Sequence, residues 1–355
     1  MTTITATATA VPPHVFTQAD LAARIDAIFT LDADSRARAL SLLESAAVER
    51  RRSVLPIDEL FGERRSVART AELYRTHVVD LARRAAAEAL ARARLDAREV
   101  DLLITTSCTG FAIPSFDVDL VADLGLRPDV RRLPVAALGC AGGAAALAHA
   151  AYFTRARRGA VALVVAAELC TLNLQRDDAR TANLVSTALF GDGAAAAVVE
   201  GRAPRGLHVV ASQSHLFPGT ARAMGFDIDE QGFHIVLSRE VPEIIASQVR
   251  RPLHEMLREH GLAPRDLRFY VLHPGGRRIL DDLEQVLGLG PEHTEPARRV
   301  LRENGNLSSA TVLFVLHEHL ARTPPKIGSY GLLAAFGPGL AAELSLLQWT
   351  PRPTS

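Results

Sequence analysis

The chain has 355 residues, enough for two domains or one large duplicated one, and 48% are hydrophobic, which rules out general disorder. Its 40 basic and 40 acidic residues balance, so no basic field argues for nucleic acid and no acidic tail is present. Three cysteines, Cys108, Cys140 and Cys170, form neither a CxxC metal pattern nor a disulfide framework. No metal site is expected, and a cytoplasmic setting is. Residues 1–12 alternate like a strand and lack the basic start of a signal peptide. Thr17-Gln18-Ala19-Asp20 reads as a capped start for a helix reaching Phe29. A long Ala/Leu/Arg helix is expected over 70–95. Short apolar runs at 101–106, 160–167 and 194–199 read as buried strands between helices, and so do 267–272, 330–336 and 341–347. None is long enough to span a membrane, so no stable membrane insertion is expected. Lys326 is the only lysine, so any phosphate site must use arginine.

The two halves echo one another. Leu95-Asp96-Ala97-Arg98-Glu99-Val100-Asp101-Leu102 resembles Leu262-Ala263-Pro264-Arg265-Asp266-Leu267, and each leads through a helix to a glycine, Gly139 or Gly305. The spacings nearly match: 139 − 101 = 38 and 305 − 266 = 39. Gly139-Cys140 and Gly305-Asn306 therefore occupy equivalent places, each opening a helix (140–155 and 308–321) that leads to an apolar strand. Duplication would bring two helix starts to one central pocket.

Cys140 lies where turn-forming glycine gives way to a small-residue helix, and the positive end of that helix favours thiolate. His273-Pro274-Gly275-Gly276 and Gly305-Asn306-Leu307-Ser308-Ser309-Ala310 add a histidine and an asparagine at the mouths of other elements. Blander readings stand beside this one. Cysteine is a common core residue, His-Pro-Gly is ordinary turn chemistry, and Asn306 could be only a helix cap. Phe190-Gly191-Asp192-Gly193 also reads as a hairpin turn.

Five segments in order carry a resemblance: 139–143, 189–194, 273–276, 305–310 and 336–340. On them the chain is identified as a member of the type III polyketide synthases, the chalcone-synthase-like branch of the thiolase-fold condensing enzymes. The resemblance implies an α/β thiolase fold, a duplicated αβαβα layered sandwich divided into halves 1–201 and 202–355. It implies a homodimer that uses acyl-CoA and malonyl-CoA with no cofactor beyond these thioesters. Cys140 would carry the starter, His273 would keep it ionised, and His273 with Asn306 would donate hydrogen bonds to the enolate oxygen formed when malonyl-CoA is decarboxylated. Phe190 matches an aromatic wall beside the departing carboxylate and Phe233 a second aromatic gatekeeper. Cys108, Ile113, Asn173, Cys170, Ser308, Phe336, Gly337 and Pro338 match pocket positions. The 336–339 loop shapes the backbone of that pocket, and Ile113 belongs to a loop that would reach the partner's pocket, with Pro114 open to a cis bond.

The chain also departs from the family's plant members. Arg38 fits one of their basic coenzyme A contacts, but Ser41 and Ser45 stand where others would be, leaving Arg36, Arg38, Arg50, Arg51 and Arg52 as the nearest coenzyme A candidates, Arg38 and Arg50 foremost. Ala112, Ile113 and Ala141 suggest aliphatic walls, and Glu168-Leu169-Cys170 resembles the same stretch in fatty-acyl-accepting bacterial members, hence a fatty-acyl starter and an alkylpyrone, alkylresorcinol or other aromatic product. Two alternatives remain: a β-ketoacyl-carrier-protein synthase III-like enzyme making one condensation, and a non-catalytic scaffold homologue.

Overall fold

The computed structural model describes residues 2–62, 65–176, 178–203, 206–230 and 232–350; position 1, at the head of the expected first strand, lies outside them. Among these the strands are β1 (Thr3–Ala10), β2 (His14–Thr17), β3 (Arg50–Ser53), β4 (Leu102–Thr106), β5 (Arg131–Val135), β6 (Val161–Leu169) and β7 (Asp192–Glu200). The second half holds β8 (Gly206–Leu216), β9 (Met224–Asp229), β10 (Gly232–Leu237), β11 (Leu267–Leu272), β12 (Tyr330–Gly337) and β13 (Ala341–Thr350). Nine of them form a mixed sheet ordered β11-β12-β13-β8-β1-β7-β6-β4-β5, while β2 pairs with β3 and β9 with β10.

The sequence repeat is a repeat of this sheet. Outward from the centre, β1-β7-β6-β4 runs antiparallel, antiparallel, parallel. From the same centre in the other direction, β8-β13-β12-β11 has the same three relations. Within the sheet the halves meet at the antiparallel β1–β8 pair, with Thr3 opposite His208 and Ile4 opposite Leu207.

Burial on both faces explains the apolar runs. On β7, Ala194, Ala196 and Val198 share a cluster with Leu81, Ala82 and Ala85 of the helix Val67–Ala93. The intervening Ala195, Ala197 and Val199 join Ala146 and Ala150 of helix Gly142–Ala156 and Val312 and Val315 of helix Thr311–Arg322. Such a strand has no solvent face and so shows no polar alternation. Each fully buried Val or Leu contributes about 1.5–3 kcal/mol. The helices Gly142–Ala156 and Thr311–Arg322 each pack on strands of both halves and so form the middle layer. Arg250–Glu259 packs on β8 and β13 as Val67–Ala93 packs on β1 and β7, completing the αβαβα layering.

Two local expectations change. The helix expected over 17–29 is broken into Gln18–Ala22 and Ile25–Ile28. The Thr17–Asp20 capping box is present, but Arg24 Nη1 takes the Asp20 carbonyl, and the Arg24 amide bonds Leu21 instead. The hairpin reading of 190–193 is also wrong: Phe190 ends helix Thr181–Leu189 and leads directly into β7.

Candidate active site

A tight turn, Gly139–Ala141, carries Cys140 into helix Gly142–Ala156. Gly139 has φ +48° and a side chain there would meet the Pro338 ring at 2.5 Å, so only glycine fits. A Cβ at Gly143 would lie 2.2 Å from the Ser309 carbonyl oxygen. The starts of the two central helices thus touch, which joins the Cys140 turn to the Asn306–Ser309 segment.

Cys140, His273 and Asn306 line one cavity of about 640 Å³. His273 sits just past β11, where its amide donates to Ala334 O at 2.8 Å; neither ring nitrogen has a hydrogen-bond partner among the described residues. The Asn306 carboxamide is oriented by its oxygen, which accepts from the Ser308 amide (2.8 Å) and the Thr311 hydroxyl (3.1 Å). Its Nδ2 therefore faces the His273 loop and donates to Gly275 O at 3.3 Å. The oxygen end of the amide thus caps the turn while the nitrogen end stays a donor beside the His273 loop, so the cap reading leaves room for the catalytic one. Phe190 is stitched beside it: Gly191 N donates to Asn306 O (3.0 Å) and Asn306 N to Leu189 O (2.8 Å).

Burial sets the charges. It pushes the Cys140 thiol up to about 11; the Ser308 hydroxyl, 3.6 Å from Sγ, and the Asn306 amide pull the other way, while the Glu168 charge adds to the rise. Burial also holds the His273 imidazole down to about 3. Burial thus opposes either charge taken singly, so the expected thiolate–imidazolium pair needs each charge to offset the other.

Other expected residues separate into two groups. Phe190, Phe233, Asn173 and Ser308 line the cavity, as do Cys108, Cys170, Phe336 and Pro338. Cys108 Sγ lies 3.1 Å from the Ser308 hydroxyl, and burial raises both the Cys108 and Cys170 thiols well above their ordinary value. Gly337 stands behind the wall, so close that a side chain would strike Leu138 O and Ala141 Cβ. Arg38 is on the wall; Arg50 is off it, paired with Glu303 at 3.6 Å. Ile113 is 83% exposed on the loop expected to reach the partner's pocket, and Ala112 and Ala141 do not line this chain's cavity, which weakens the aliphatic-wall expectation. The Ile113–Pro114 bond is cis.

Sequence reasoning missed how two buried charged residues brace the site. Glu168, fully buried, accepts from Ser107 (3.2 Å), Thr109 (2.6 Å), the Cys108 amide (3.1 Å) and the Ser309 hydroxyl, tying the 107–109 loop to the Asn306–Ser309 segment. Its signal was a lone acid at the end of an apolar strand. Arg51, one of the expected coenzyme A candidates, is instead fully buried off the cavity wall and donates to Thr187 O and Phe190 O and to Gln18 Oε1 (2.9 Å), fixing the Phe190 backbone. A second cavity of about 720 Å³ shares Cys108, Thr109, Gly139, Asn173, Phe226 and Phe233 with the first. Among the described residues no cluster of His, Cys, Asp and Glu is placed to hold a metal ion, and no helix is long and apolar enough to cross a membrane.

Family models for chalcone and stilbene synthases match the chain throughout, the N-terminal domain at residues 1–204 and the C-terminal domain at 208–351. The chain belongs to that family. It is 38% identical to a 1,3,6,8-tetrahydroxynaphthalene synthase of Streptomyces peucetius subsp. caesius, over 98% of this chain and 93% of the relative. It is 34% identical to a phloroglucinol synthase of Pseudomonas fluorescens, over 96% and 97%. The crystal structure of the 1,3,6,8-tetrahydroxynaphthalene synthase of Streptomyces coelicolor, a bacterial type III polyketide synthase, superposes with a TM-score of 0.92 at 36% identity, covering 99% of this chain and all of that one. The αβαβα architecture is therefore the thiolase fold of these enzymes. As a type III polyketide synthase the chain is an acyl-transferring condensing enzyme, and this reading stands above single-condensation and scaffold alternatives.

Proposed function

We propose that Cys140 accepts an acyl group from an acyl-CoA starter, and that His273 and Asn306 promote decarboxylation of malonyl-CoA beside it. The resulting enolate attacks the Cys140 thioester, the extended chain returns to the thiol, and after repeated cycles the poly-β-ketone cyclises in the same cavity. Coenzyme A thioesters are the substrates and no cofactor is added. The carrying observation is the convergence of Cys140, the two unpartnered ring nitrogens of His273 and the oriented Asn306 amide on one cavity. His273 and Asn306 then act as preorganised donors to the oxygen on which charge develops. Phe190, Phe226, Phe233 and Phe336 give the cavity aromatic walls. They favour an aromatic ring product over an alkylpyrone, and a small starter such as malonyl-CoA itself.

We further assign the halves 1–201 and 202–355 as the two repeats, the enzyme as a homodimer and its setting as the cytoplasm. The family models, which meet between residues 204 and 208, support the division. Intact-mass analysis tests the central step. Wild type incubated with a starter should gain one acyl group and Cys140→Ala none, with folding retained because little volume is removed. An adduct on the variant overturns the nucleophile assignment. Product analysis with malonyl-CoA alone and with a series of acyl-CoA starters identifies the product; activity that rises steadily with chain length would restore the fatty-acyl reading.

A further inference from the structure

Coenzyme A carries its anionic groups, a 3′-phosphate and a diphosphate, at the end remote from the thioester. Whatever holds them stands at the solvent end of the cavity that contains Cys140. Four arginines line that cavity, Arg38, Arg239, Arg277 and Arg278, and all four are exposed, while His273 and Asn306 are buried. No Asp or Glu lines it among the described residues, although the whole chain balances 40 bases against 40 acids. Helix Ala33–Ser45 contributes Arg38, Leu42 and Ser45 to the wall, a single cation from that side.

Arg277 and Arg278 follow directly on Gly275 and Gly276 and open helix Arg277–Leu287, so they are carried by the same continuous segment as His273. Their own carboxylate neighbours hold them weakly: Arg277 Nε is 3.9 Å from Asp281 and Arg278 Nε 3.8 Å from Asp282, both beyond hydrogen-bond distance. Two guanidinia with no strong partner, at the mouth of an acid-free cavity, match the planar bidentate recognition that phosphate favours. We propose that Arg277 and Arg278, joined by Arg239, are the principal phosphate-binding element for coenzyme A in this chain. They supply the charge that Ser41 and Ser45 do not. The inference rests on the polyketide-synthase reading above and specifies how that site holds its substrate.

The test compares malonyl-CoA with malonyl-pantetheine, which presents the same thioester without the nucleotide, on wild type and on Arg277→Ala/Arg278→Ala. KM for malonyl-CoA should rise about tenfold with kcat within about twofold, while KM for malonyl-pantetheine stays put. Calorimetry with adenosine 3′,5′-bisphosphate should show binding to wild type weakened by a similar factor in the double variant. Equal KM changes for both thioesters, or none for either, overturn the proposal. So does a loss confined to a malonyl-carrier protein, which would make the arginines a docking patch for an acidic carrier. A wild type that turns over neither thioester strikes at the functional reading alone, because the bisphosphate titration still reads the arginines directly.

Discussion

Asn306 shows how one side chain serves two ends of the chemistry. Its oxygen is held by Ser308 and Thr311, and its amide is left to donate toward the His273 loop. Enolate stabilisation is needed for decarboxylation and not for starter loading. Asn306→Ala should therefore slow carbon dioxide release by about 3 kcal/mol, roughly two orders of magnitude, and acylation far less. Equal losses in both rates would reduce Asn306 to a loop support. His273 makes a second prediction through its proton. Its pKa falls from 6.5 to about 3 through burial, so below pH 6.5 the unfolded chain takes up a proton that the folded chain refuses. Its contribution to folding stability is full above pH 6.5 and is lost as pH falls toward 3, by about 1.4 kcal/mol per pH unit. Buried Asp192, raised from 3.8 to about 6, acts in the opposite sense: its contribution is full below pH 3.8 and is lost as pH rises through 6. Subtracting the curve of His273→Gln removes that background. In denaturant titrations from pH 7 to pH 5, wild type should lose stability relative to His273→Gln; parallel curves would mean that the imidazole is not buried and neutral.

At the scale of elements, the site depends on two helix starts in contact. Gly143→Ala isolates that contact because propensity and packing have opposite signs. In an isolated helix the change would help by about 1 kcal/mol. Here the new methyl would press on the Ser309 carbonyl oxygen, a backbone atom that cannot swing aside. Overpacking of this kind costs about 1–3 kcal/mol, and the displaced turn should take Cys140 out of line with Asn306. Thermal unfolding with product formation checks it: Tm and activity should fall together, and a raised Tm would dissolve the contact. Element types were legible because strands buried on both faces read as unbroken apolar runs, as in β6 and β7. The break at Ala23–Arg24 was not, because it hinges on the Arg24 side chain competing for the Asp20 carbonyl oxygen, which hydrophobic spacing does not record.

For the whole molecule, several exposed apolar residues fall between β4 and β5. Phe111 is 68% and Ile113 83% exposed, on the loop between β4 and helix Asp117–Leu124, and β5 presents Leu133 at the open edge of the nine-stranded sheet. Covering them is the role we expect of a second copy. Sedimentation should give a dimer for wild type and a shift toward monomer for Ile113→Glu; a fully active wild-type monomer would refute the shared-pocket picture. The sequence by itself determined the repeat, the alternation of helix and strand, and the Cys140, His273 and Asn306 candidates. Glycine placement, capping chemistry and apolar periodicity are local properties and leave local marks. Only the tertiary structure decided which residues share a cavity. Arg50 and Ile113 lie off its wall, and Arg277, Arg278 and Arg239 lie on it. It also decided which buried groups hold the site from behind, as Glu168 and Arg51 do, and how strongly burial works against charge on the cysteine and the histidine. Those outcomes depend on desolvation and on contacts between segments distant in the chain, and neither is written in any short stretch of residues.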